Sequence, residues 1–139
     1  MNENKDLLLK YLSMALPYGV KVLDATYKKF GASDLINIGV DGSMLVDNKT
    51  EDIQYHPIID NVKPYLRSIS SITEEEKTQM THDCYVISLD FEQRTTDMVA
   101  LWNTPRVIIW LLEHHFDFMD LIPKNLAIEI TESNNPYKK

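Results

Sequence analysis

LINIGVDGSMLV, residues 35–46, carries the strongest local signal in the sequence. Two short, largely apolar runs, Leu35–Val40 and Ser43–Val46, flank Asp41-Gly42. A two-residue hairpin turn needs positive φ at both central positions, and Asp-Gly adopts that conformation at low steric cost. The stretch therefore predicts an antiparallel hairpin closed by Asp41 and Gly42. Just upstream, Val20, Val22 and Asp24 alternate with Lys21, Leu23 and Ala25, the period of a half-buried strand. Downstream, Ile53–Tyr55 reads as a further short strand before Pro57. Three or four short strands over residues 20–57 make an antiparallel β-meander.

Helices flank this region. Residues 4–16 carry Leu8, Leu9, Leu12, Ala15 and Leu16 at helical spacing, with Asn4 placed as N-cap. Pro17 forbids continuation, and Gly19 loosens the exit. Residues 58–72 read as irregular but apolar, since Lys63 precedes Pro64 and is disfavoured in a helix. Thr73 and Glu76 have capping-box spacing, and Glu74–Glu76 suit a helix N-terminus, so a helix is expected over 74–81. Residues 84–91 look like a strand, and 92–103 fit helix or strand equally. Thr104 as N-cap and Pro105 at the first helical position open a helix that runs to about His115. Val107 to Leu112 make it apolar nearly all round, the mark of a buried helix. Phe118, Leu121 and Ile122 form a packed turn, Leu126–Ile130 a last strand, and 131–139 a frayed polar tail. The expected architecture is a single α+β domain over 1–139: a small antiparallel meander packed with an N-terminal helix and a buried C-terminal helix.

Composition narrows the function classes. A chain of 139 residues with 44% hydrophobic and 25% charged residues can bury a core without a metal or disulfide. Its 21 acidic and 14 basic residues leave a net charge of −7, which opposes phosphate backbones and argues against nucleic acid as partner. One cysteine, Cys84, excludes an internal disulfide and fits a reducing compartment. No signal peptide or membrane span is read at the N-terminus, where Asp6, Lys10 and Tyr11 interrupt the apolar residues.

LPYGV (16–20), KPYLR (63–67), SSITEEE (70–76), HHFDF (114–118), Leu121-Ile122 and LAIE (126–129) together resemble a family of small uncharacterised proteins encoded in phages and prophages of Bacteroides-like bacteria. The resemblance covers most of the chain in patches, but not residues 77–103. It implies a mobile-element origin and a bacterial cytoplasm. That family has no assigned activity, so the resemblance brings no catalytic residue or cofactor with it.

Several clusters invite a chemical reading. His114, His115, Asp117 and Asp120 hold two imidazoles and two carboxylates, with His56 or Asp60 as possible additions. Adjacent helical residues point about 100° apart, however, whereas a metal pair prefers one face, so a helix C-terminal cap is the better reading. His82-Asp83-Cys84 would place imidazole and thiol on one side of a strand, yet a lone cysteine at a strand start is more often a small core residue. Ser68, Ser70 and Ser71 lack a nucleophile-elbow context. In KPYLR, Pro64 stiffens the backbone while Lys63, Tyr65 and Arg67 combine charge with aromatic area, the usual anchors of a binding surface. Alternatively, Tyr65 and Leu66 pin the segment to the core and Arg67 makes an ion pair. No nucleophile, base and orienting group assemble from neighbouring positions. The expected function is therefore binding of a host or phage protein without a cofactor, with Lys63, Tyr65 and Arg67 as the first candidate contact. The alternative is a small metal-dependent or hydrolytic enzyme using His114, His115 and Asp117.

Overall fold

The computed structural model describes residues 3–84 and 105–138. Helix α1 (Glu3–Ala15) places Leu8, Tyr11, Leu12 and Ala15 on its buried face. It starts one residue earlier than expected, so Asn4 lies in its first turn and is not its N-cap. Pro17 tightens the exit into a 3-10 turn, and Gly19, at φ 79°, ends it. Four antiparallel strands follow: β1 (Lys21–Asp24), β2 (Ser33–Ile38), β3 (Met44–Asn48) and β4 (Ile53–Tyr55). They pair in sequence order, as the meander reading expects.

The hairpin itself forms, but its turn is of another class. Gly42 donates to the Gly39 carbonyl at 2.9 Å and Gly39 donates to Ser43 at 2.7 Å, so the loop holds three residues. Val40 and Asp41 are the central pair, and only Gly42 takes positive φ, at 86°. This is a turn closed by a left-handed glycine bulge, and the expected two-residue Asp41-Gly42 turn is corrected accordingly. Asp41 contributes through its carboxylate, which accepts from the Ser43 amide at 3.0 Å and hydroxyl at 2.7 Å. Those bonds hold its carboxyl below the usual value. A second irregularity lies between Leu35 and Asn37, where the register with β3 shifts. The extra residue leaves Ile36 exposed and returns Ile38 to the core side.

Residues 58–72 are not irregular throughout. Val62–Leu66 form β5, antiparallel to β1, with Val62, Pro64 and Leu66 buried. Pro64 disguised this strand: a residue without an amide proton reads as a strand breaker, yet it sits opposite Val22. A two-residue β6 (Ile128–Glu129) pairs parallel to β5, shorter than the Leu126–Ile130 strand expected. The sheet is thus mixed, in the order β4-β3-β2-β1-β5-β6.

Helix α2 (Glu74–Cys84) opens on the expected capping box, with the Glu76 amide on Thr73 Oγ1 at 3.1 Å and the Thr73 amide on Glu76 Oε1 at 3.0 Å. It runs past Thr81, so position 84 ends a helix and does not start a strand. The rest of the strand expected over 84–91, the ambiguous 92–103 segment and the Thr104 cap lie outside the described residues. Helix α3 (Pro105–Glu113) buries Val107, Trp110, Leu111 and Leu112. It is not enclosed all round, since Ile109 is 40% exposed.

Two apolar clusters result. One packs α1 on the buried face of the sheet around Leu12, Val22, Val46 and Leu66. The other joins Ile69, Met80, Val107, Trp110, Leu111 and Phe116 between α2 and α3. No helix among the described residues is long and apolar enough to cross a membrane.

Candidate functional site

Strand alternation in β5 sends Lys63 and Tyr65 to the side opposite Val62, Pro64 and Leu66. Lys63 Nζ donates to Asn125 at 3.0 Å, and Tyr65 is partly buried. Arg67, one residue beyond the strand, is fully engaged. Its guanidinium forms a fork on Glu76, at 2.5 Å to Oε2 and 2.7 Å to Oε1, and donates to the Ser71 carbonyl at 3.2 Å. The same group lies 4.3 Å from the Phe116 ring centroid, a cation–π distance. Bidentate pairing with Arg67, aided by the Thr73 amide, lowers the Glu76 carboxyl to about 2. Glu76 thus joins the cap of α2 to the end of β5.

The histidine–aspartate cluster is a helix terminus. His115 takes φ 62°, its amide donates to Leu112 at 3.1 Å, and the Phe116 amide donates to Leu111 at 2.9 Å. This pair of bonds around a left-handed residue is the Schellman arrangement, with His115 where glycine is usual. The His114 ring stacks on Trp110 at 3.9 Å while its Nδ1 donates to the Trp110 carbonyl at 2.8 Å. The His115 ring instead stacks on Tyr137 at 3.6 Å; burial, then the nearby His114, Arg67 and Lys21, lower its pKa to about 4. Asp117, 4% exposed, accepts the Leu121 amide on Oδ1 and the Ile122 amide on Oδ2, both at 2.8 Å. It caps the turn before Pro123, as an Asx residue does.

KPYLR and HHFDF therefore meet. The Arg67 amide donates to His115 at 2.7 Å, and the Asp117 amide donates to Arg67 at 2.8 Å, a parallel bridge centred on Phe116. The three metal candidates His114, His115 and Asp117 face three different neighbours. Among the described residues, no three His, Cys, Asp or Glu side chains are placed to hold an ion. His56 is committed to the Met44 carbonyl at 2.7 Å and Asp60 to Lys5 at 2.9 Å, both away from this junction. Ser68 and Ser71 bond within their own 3-10 turn.

Other residues at this junction escaped the sequence reading. Tyr11 is wholly buried, and its hydroxyl donates to the Phe116 carbonyl at 3.2 Å; its helical spacing from Leu8 and Ala15 was the available signal. Tyr137 corrects the expectation of a frayed tail, for its ring lies on His115 and its hydroxyl reaches β1 and β5. An open groove lies elsewhere among the described residues. Along the outer side of α1, Leu9, Met14 and Met119 line a shallow groove of about 470 Å³, rimmed by Asp6, Lys10 and Ser13. Met14 is 37% exposed. No protein-family model matches the chain, and comparison with curated proteins and with solved structures found no match.

Proposed function

We propose that this chain is a protein-binding module of a phage or other mobile element, acting in a bacterial cytoplasm without a cofactor. The observation that carries the reading is the apolar groove between α1 and Met119. Two of its three apolar walls are methionines, whose flexible thioethers adapt to varied partner side chains. Asp6, Lys10 and Ser13 give it a polar rim around an apolar centre, the usual arrangement of an interaction surface. The net charge of −7 favours encounter with a basic partner and disfavours nucleic acid.

KPYLR was the first candidate contact from sequence. Arg67 is spent on Glu76 and Phe116, and Lys63 on Asn125, so we place the contact on the α1 groove instead. Affinity capture from host lysate with the unaltered chain and with Met14→Glu tests the assignment. The variant should keep its melting temperature and lose the captured protein. Retention of the same protein by Met14→Glu, or turnover of a substrate by the purified chain, would count against it.

A further inference from the structure

The C-terminal tail ends in a contact that packing alone does not require. In the antiparallel pairing of β1 with β5, Val22 faces Pro64, and the ladder stops there. The next pair in register is Lys21 with Tyr65. Pro64 has no amide proton, so the positions on either side of it are the ones that should exchange backbone hydrogen bonds. Between Lys21 and Tyr65, however, the Tyr137 hydroxyl is inserted. It accepts from the Lys21 amide at 2.7 Å and donates to the Tyr65 carbonyl at 3.3 Å. A hydroxyl can do both at once, and so bridges the Lys21 amide and the Tyr65 carbonyl. The Tyr137 ring lies parallel to His115 at 3.6 Å, with an interplanar angle of 9°. Burial pushes the Tyr137 phenol pKa up, which preserves the proton it donates. Between β6 and Tyr137, Asn134 and Thr131 hold the intervening turn, with Asn134 Nδ2 on Glu129 at 3.1 Å.

The geometry points to a phenol-binding slot between β1 and β5, walled by His115 and filled in this structure by the chain's own Tyr137. Its ligand class is a para-substituted phenol, read by one amide donor, one carbonyl acceptor and a stacking imidazole. An aromatic ring without the hydroxyl fills the wall but leaves Lys21 and Tyr65 unbridged. The slot is separate from the α1 groove and does not depend on it.

Hydrogen exchange at the Lys21 amide tests the slot in the whole 139-residue chain. Tyr137→Phe and Tyr137→Gly should each accelerate exchange at Lys21 roughly tenfold or more, since a bridged donor becomes free. Added p-cresol should slow it again in Tyr137→Gly with saturable dependence, and toluene should not. Equal rescue by toluene, no effect of p-cresol on the folded variant, or unchanged Lys21 exchange in Tyr137→Phe would overturn the proposal. Should Tyr137→Gly fail to fold, Tyr137→Ala carries the same p-cresol and toluene comparison, while Tyr137→Phe reports on the hydroxyl bridge.

Discussion

Glu76→Gln separates the two tasks that meet at Glu76. Glutamine can still accept from the Thr73 amide, so the cap of α2 is retained. It cannot neutralise the Arg67 guanidinium, whose fork spans both carboxylate oxygens. In the native protein the Glu76 carboxyl falls from 4.5 to about 2. Converted in full, that shift is worth about 3 kcal/mol. The pair is partly open to water, with side-chain exposures of 25% and 23%, so screening leaves roughly 1–2 kcal/mol. A carboxyl with a depressed pKa contributes stability above its unfolded value, and the contribution is lost as pH falls through the folded one. Urea unfolding at pH 7 should show Glu76→Gln less stable by roughly 1–2 kcal/mol. The gap should close progressively from pH 4.5 toward pH 2. Because other groups titrate alike in both proteins, the difference isolates this carboxyl. Equal stability at pH 7, or a gap that persists undiminished near pH 2, would refute the reasoning.

Three further substitutions probe the fold. Gly42→Val forces a β-branched residue to φ 86° and should cost roughly 1 kcal/mol or more, read as a lowered thermal midpoint. Leu111→Ala empties a wholly buried position between α2 and α3 and should cost on the order of 2–5 kcal/mol in denaturant unfolding. Asp117→Ala leaves the Leu121 and Ile122 amides without their acceptor; it should cost roughly 1–3 kcal/mol, and added zinc should not change the melting temperature of the unaltered chain.

Local signals were legible. Thr73 and Glu76 announce a cap because both partners lie within one turn, and Asp41-Gly42 announces a chain reversal because few other pairs tolerate it. Long-range partners left no such mark. The bulge at Ile36 and the third loop residue depend on how β2 and β3 twist together, so the turn class could not be read from Asp41-Gly42 alone. Pro64 concealed β5 because its missing amide signals a breaker unless the opposing strand is known. Tyr137 looked like part of a polar tail, since the ladder gap it fills is made by residues 116 and 72 positions away. For the candidate site the position was similar. Spacing already favoured a helix cap over a metal pair at His114-His115, and the ion pair of Arg67 was among the readings. That KPYLR and HHFDF share one junction, and that the open groove lies along α1, are properties of the packed chain.

The proposed function requires a partner protein bound at the α1 groove and not at the KPYLR junction. A photo-crosslinking residue installed at position 14, and separately at position 65, tests it most directly in host lysate. The expected result is a discrete crosslinked protein from position 14, absent from position 65 and suppressed by excess unaltered chain. A crosslink from position 65 alone, or none from position 14 while the unaltered chain still captures its partner, would contradict it.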